Sequence, residues 1–211
     1  MEEIKEIYFA NQDRIKERLA EFKRVWDEGD EEDIFAELIF CILTPQSRAK
    51  SCWNAVMKLL DGNLLLRGKI NRIIKKLNGV RFKYKKAEYI IEARKMFVVN
   101  GRVSVRSKIK EFNENKDARE WLVNNVRGLG FKEASHFLRN IGLGENIAIL
   151  DRHILKNLSL LGLIEEVPHS LSRKIYLELE NKMMKFADMV KIPISHLDLA
   201  MWYKETGEIF K

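Results

Sequence analysis

The sequence is short of cysteine, proline and glycine: 211 residues contain 2 Cys, 3 Pro and 11 Gly. Two thiols, Cys41 and Cys52, cannot build a disulfide framework, a four-cysteine zinc site or a four-cysteine iron–sulfur site. They read as buried, reduced thiols. So little proline and glycine excludes fibrous and low-complexity chains. No run of about 18 apolar residues is present, so no membrane span is expected. The opening Met-Glu-Glu-Ile-Lys lacks the basic-then-apolar order of a secretory signal, and a cytoplasmic location is expected.

What is present is a mixture that can bury a core, 46% hydrophobic and 33% charged residues. The length suits one domain or two small lobes. The net charge is +7, and it is unevenly spread. Residues 1–33 hold 12 acids and 6 bases, whereas residues 67–110 hold 15 Lys and Arg against only Glu88 and Glu92. A basic segment of that density can meet a polyanion by releasing its counterions. It is equally the composition of a solvated basic face, and charge alone does not separate DNA, RNA and an acidic protein as partners.

Apolar spacing is helical almost throughout. Ile4, Ile7, Tyr8, Ile15, Leu19 and Phe22 recur at intervals of three, four and seven. The nearly all-apolar run 34–43 predicts a central buried helix, with Asp33 able to cap it and Thr44-Pro45 ending it. Ser47 reads as the cap of the next helix. Further helices are expected over about 69–77, 84–97, 117–126, 131–141, 152–161, 170–187 and 195–206, about ten short helices in an all-α protein. Residues 97–105 carry Asn100-Gly101 between β-branched residues, a hairpin signal. With no other strand in view, a turn between helices is expected there.

The chemistry concentrates in 124–155. Trp121, Leu122 and Val126 form an incoming apolar face; Phe131, Ala134, Phe137, Leu138 and Ile141 form an outgoing one. Between them Gly128 and Gly130 permit a tight reversal, positive φ and close approach of a ligand to the backbone. The free N–H groups opening the second helix can hold a phosphate. An ordinary αα-hairpin accounts for the spacing equally well. Lys132 falls in the first turn, where the positive end of the helix dipole disfavours an ammonium; a neutral amine there can form a Schiff base. A phosphate-binding or solvated lysine is the plainer alternative. Asp151 follows an apolar run and precedes a helical pattern, a natural N-cap whose carboxylate can also stabilise developing positive charge. His136, His153, His169 and His196 show no paired metal-ligand spacing.

At these residues the chain resembles the helix-hairpin-helix DNA glycosylase superfamily. Val126-Arg-Gly-Leu-Gly-Phe-Lys-Glu-Ala134 is similar to the family's hairpin with its lysine, and Asp151 matches its downstream aspartate. Leu43-Thr-Pro-Gln-Ser-Arg48 is similar to the segment inserted near a flipped-out base, and the stretch 81–90 to the groove-lining loop and helix. Within the superfamily the chain resembles the short, second type of 8-oxoguanine DNA glycosylase/AP lyase over nearly its whole length. Leu171-Ser-Arg-Lys-Ile-Tyr176, Leu197-Asp-Leu-Ala-Met-Trp-Tyr203 and Lys211 are the later marks.

The resemblance implies an all-α fold of two helical lobes with a DNA-binding groove between them. One lobe would be a bundle of residues 30–141 ending in the helix-hairpin-helix; the other would combine 1–29 with 145–211. It implies that Lys132 attacks the sugar, that Asp151 stabilises the charge formed there, and that Gly128 and Gly130 bind phosphate. It assigns Phe82, Trp202 and Lys211 to base recognition, the last through its ammonium and carboxylate; Asp198 either binds the base edge or hydrogen-bonds within a helix. Gln46 would fill the gap left by the flipped base, and Arg48 would contact phosphates or the opposite strand. No metal and no cofactor is expected. The partner implied is double-stranded DNA with an oxidised base; a monomer is the default expectation. A relative acting on oxidised pyrimidines and a non-enzymatic DNA-binding hairpin module are the competing readings.

Overall fold

The computed structural model describes residues 1–211. It contains α1 (Glu2–Asp27), α2 (Glu31–Leu43), α3 (Ala49–Asp61), α4 (Leu64–Arg67), α5 (Ile70–Lys76), α6 (Lys83–Phe97), a hairpin of β1 (Val98–Val99) and β2 (Arg102–Val103), α7 (Val105–Ile109), α8 (Asn115–Asn125), α9 (Phe131–Asn140), α10 (Arg152–Leu160), α11 (Arg173–Val190) and α12 (Ile194–Thr206). The chain divides into two compact units. One is Met1–Arg24 with Leu138–Lys211, and the other is Val25–Phe137.

In the unit Val25–Phe137, every residue from Ile34 to Leu43 is buried, so α2 is the central helix that its apolar run predicts. Helices α3, α6 and α7 pack on it, and α5 packs on α6. Its cap differs from expectation. Asp30 is the N-cap, and Asp33 closes a reciprocal capping box from the third helical position. Two acids spaced by three satisfy two free amides, where Asp33 alone would satisfy one. The turn expected at 97–105 is a two-residue hairpin instead. Asn100 and Gly101 take φ of 52° and 75°, the left-handed pair that matches the strand twist.

Part of the basic segment serves the fold. The Arg94 guanidinium donates to the carbonyls of Leu64, Leu65 and Gly68 at 2.8–2.9 Å, closing the end of α4. Arg106 donates to the Gly29 carbonyl. These cations are spent on backbone oxygens, and the polyanion argument applies to the exposed remainder, such as Arg72, Lys75, Lys76, Arg81 and Lys85.

In the other unit, α1 buries Ile4, Tyr8, Ile15 and Phe22 along the expected stripe. Helices α10 and α11 both pack on α12. An ion pair lies inside, with Arg139 Nη1 donating to Asp198 Oδ2 at 2.9 Å, both side chains under 10% exposed. Burial outweighs the pull of Arg139 and pushes the Asp198 carboxyl up to about 7, with Asp151 acting in the same direction as burial. Between about pH 4 and about pH 7 the folded state then holds a proton that the unfolded chain has lost. The stability owed to this group is therefore complete at low pH and falls as pH rises through that window. Urea unfolding at a series of pH values should show this slope in the wild type and its loss in Asp198→Asn.

Candidate active site

The hairpin is built around two glycines with different duties. Gly128 takes φ of 94°, and a Cβ there would lie 2.6 Å from the Tyr89 ring. Both the backbone and the neighbour require glycine. Of the two glycines that permit positive φ, only Gly128 adopts it. Gly130 precedes α9, its carbonyl accepts the Ala134 amide, and a Cβ there would meet only the Glu133 carboxylate at 3.1 Å. Its glycine leaves room for the Glu133 carboxylate beside the exposed N–H. Gly128→Ala should therefore cost about 1–3 kcal/mol in stability through backbone strain alone. A fall in thermal midpoint with a parallel loss of affinity for duplex DNA checks it.

Lys132 is the second residue of α9. Its Nζ lies 2.8 Å from Glu133 Oε1, with the lysine side chain 27% exposed and the glutamate 13%. The other Glu133 oxygen accepts the Gly130 N–H at 3.2 Å. One carboxylate thus holds both the hairpin amide and the ammonium. Sequence reasoning passed over Glu133, although its place three residues after the cap position is the acidic half of a capping box. The helix behind it is anchored: Ala134, Phe137 and Leu138 are fully buried, and Arg119 Nη1 donates to Ser135 Oγ at 3.2 Å.

Asp151 caps α10, as its position predicts. Its Oδ1 accepts the amides of His153 and Ile154, each at 2.8 Å, and Oδ2 takes no part in the cap. The preceding segment is fixed by buried partners. Glu180 accepts the Ala148 amide at 2.9 Å, and the Tyr176 hydroxyl donates to the Ala148 carbonyl at 2.7 Å and accepts the Leu150 amide at 3.3 Å. Asp151 has little freedom to move.

The remaining candidates separate by environment. Phe82 is 57% exposed with φ of 57°, and the Arg81 guanidinium lies 5.7 Å from its ring centroid. A large aromatic residue in the left-handed region at the surface is an outlier that favours a functional reading. Gln46 is exposed with φ of 55°, and Arg48 is exposed beside it. Arg48, not Ser47, holds the N-cap position of α3. Trp202 is half-buried, its indole edge-on to His153 with ring centroids 4.9 Å apart, and Lys211 is half-buried as well. Asp198 is a correction: it is 4% exposed and committed to Arg139, so its carboxylate is not presented to a base edge.

Both cysteines are buried. Cys52 donates to the Leu43 carbonyl at 3.1 Å, and burial pushes its thiol up to about 11. No group of three or more His, Cys, Asp or Glu side chains is arranged to hold a metal ion. No helix is long and apolar enough to cross a membrane.

The family model described as 8-oxoguanine DNA glycosylase matches residues 15–192. An 8-oxoguanine DNA glycosylase/AP lyase of Fusobacterium nucleatum is 47% identical over 209 residues, which is 99% of this chain and 96% of the relative. One from Methanocaldococcus jannaschii is 42% identical over 200 residues, 94% of this chain and 92% of the relative. Among solved structures, the 8-oxoguanine DNA glycosylase of Thermotoga maritima superposes with a TM-score of 0.88 at 36% identity, covering 100% of this chain and 97% of that one. The glycosylase/lyase of M. jannaschii in complex with a 15mer DNA containing 8-oxoguanine gives 0.89 at 38% identity, with both chains covered completely. A hairpin lysine, a capping aspartate and likeness along the whole chain agree: the chain belongs to the 8-oxoguanine DNA glycosylase family.

Proposed function

We propose that this protein is a base-excision repair enzyme that removes 8-oxoguanine from duplex DNA and then cuts the strand at the resulting site. The carrying observation is Lys132: an amine in the first turn of α9, beside the exposed Gly130 amide, with one carboxylate, Glu133, bonded to both. A base inside a duplex cannot be reached, so it is first flipped out. Phosphates next to it bind at the amides around Gly128 and Gly130. Once deprotonated, the Lys132 amine forms a bond to C1′ as the C1′–N9 bond breaks, and the base leaves with a proton. Asp151 stabilises the oxocarbenium-like charge and assists deprotonation of the lysine. Ring opening gives a Schiff base, which draws electrons from C2′. Loss of the C2′ proton then expels the 3′ phosphate by β-elimination, and water releases the lysine. None of these steps calls on a metal or a redox cofactor.

Phe82 and Trp202 are assigned to stacking on the base, an interaction worth about 1–3 kcal/mol per base. Lys211 is assigned to the base edge, Gln46 to the gap in the duplex, and Arg48 to phosphates or the opposite strand. The protein acts as a monomer on double-stranded DNA, in the cytoplasm with the nucleoid.

The test is borohydride trapping on duplexes carrying 8-oxoguanine opposite cytosine, thymine glycol, an abasic site, or no damage. A covalent adduct with 8-oxoguanine and the abasic site, and none with undamaged DNA, is expected. An adduct with thymine glycol but not 8-oxoguanine moves the enzyme to oxidised pyrimidines. Tight DNA binding with no adduct on any duplex leaves a non-enzymatic binding module.

A further inference from the structure

Gln46 and Phe82 share an unusual feature. Both carry a Cβ, both stand at the surface, and both have left-handed backbones, with φ of 55° and 57°. Such conformations persist in non-glycine residues where the surroundings over-determine them. The two residues are 36 positions apart, yet one buried group joins their segments.

That group is the Lys86 ammonium, on a residue only 4% exposed. It donates to the carbonyls of Leu43 and Pro45, both at 2.7 Å, and to Ser47 Oγ at 3.1 Å. Three protons meet three acceptors, and none of the three is a carboxylate. Ser47 Oγ in turn accepts the Arg81 backbone N–H at 3.0 Å. The acceptors flank Gln46 on both sides, and Arg81 immediately precedes Phe82. The Leu43 carbonyl lies at the end of α2, where a cation is favourable. Capping that helix would need only this one bond. The bonds to Pro45 and Ser47, and the onward bond to Arg81, tie the loop 44–48 to the turn 81–82.

We infer that Lys86 and Ser47 form a positioning lock that sets the left-handed conformations of Gln46 and Phe82 together, and through them the discrimination of the damaged base. The inference rests on the proposed reading, in which Phe82 stacks on the base and Gln46 fills the gap. Lys86 and Ser47 are positioning residues and touch no reacting atom. Cleavage at a preformed abasic site presents no base to stack on, so it should not need the lock.

The test compares two activities of the full-length protein under single-turnover conditions: release of 8-oxoguanine opposite cytosine, and strand cleavage at a preformed abasic site. Ser47→Ala removes one oxygen and leaves every charge in place, so a field effect on Lys132 cannot produce its phenotype. It should slow base release about tenfold, and Lys86→Met about a hundredfold, as expected when a contact is displaced by a fraction of an ångström to an ångström. Cleavage at the abasic site should stay within about twofold in Ser47→Ala. Equal losses in both activities, or no loss in either, overturn the lock. If Lys86→Met does not fold, Ser47→Ala alone decides. A wild-type protein that neither releases base nor traps on an abasic site refutes the underlying function, an outcome distinct from failure of the lock.

Discussion

Lys132→Gln should give a protein that binds duplex DNA, forms no adduct under borohydride and leaves the strand uncut. The loss of strand cleavage should be on the order of 10⁴-fold or more, because in the proposed mechanism the residue supplies the bond-forming atom. Glutamine is the informative substitution here. Its amide can still donate to Glu133, so the contact at 2.8 Å survives as a hydrogen bond and the hairpin keeps its local order. Binding should weaken only as expected for one lost cation, a change of at most about one in the slope of log K against log salt. Gel shift over a salt series and trapping on the same preparation measure both quantities. If cleavage persists in Lys132→Gln, another amine performs the chemistry.

Asp151→Asn should separate two roles that one side chain combines. The amide oxygen of asparagine can accept the same two N–H groups of α10, so stability should change little. The negative charge is gone, and the rate of base release should fall by about 10²–10³-fold, the usual cost of removing one preorganised electrostatic partner of a transition state. Asp151→Ala loses the cap as well, with a further penalty of about 1 kcal/mol in stability. Single-turnover kinetics and thermal unfolding on the pair give the partition. Equal rates in wild type and Asp151→Asn would reduce the residue to a helix cap.

The sequence makes some of this architecture readable and hides the rest for physical reasons. Helix α2 is legible because ten consecutive buried residues leave an unbroken apolar run. The positions of Lys132 and Asp151 are legible because they are set locally, one in the first turn after a glycine reversal, the other at a cap. The capping box at Asp30 and Asp33 is misread by three residues because 30–33 is acidic at every position and each acid is a plausible cap. Glu133 reads as one more surface acid, because its importance comes from two contacts made at once. Ser47 looks like a helix cap by residue type, and its hydroxyl is instead taken by Arg81 and Lys86 from 34 and 39 residues away. Lys86 is hidden inside a run of lysines. Nothing in the pattern distinguishes the one that is buried from those that meet solvent, since that depends on where the carbonyls of a distant helix end point. Asp198 is misjudged for the same reason, its partner Arg139 lying 59 residues away.

The sealed thiols bear on the conditions in which such an enzyme works. Guanine is oxidised where peroxide and related species escape control, and a reactive cysteine would be attacked by the same species. Oxidation of a cysteine proceeds through the exposed thiolate. Here both cysteines are completely buried, and the thiol of Cys52 is pushed up to about 11, far from the pH of any cytoplasm. Its proton stays on, and the carbonyl of Leu43 holds the S–H in place. The chain thus keeps both thiols out of reach of the stress that creates its substrate.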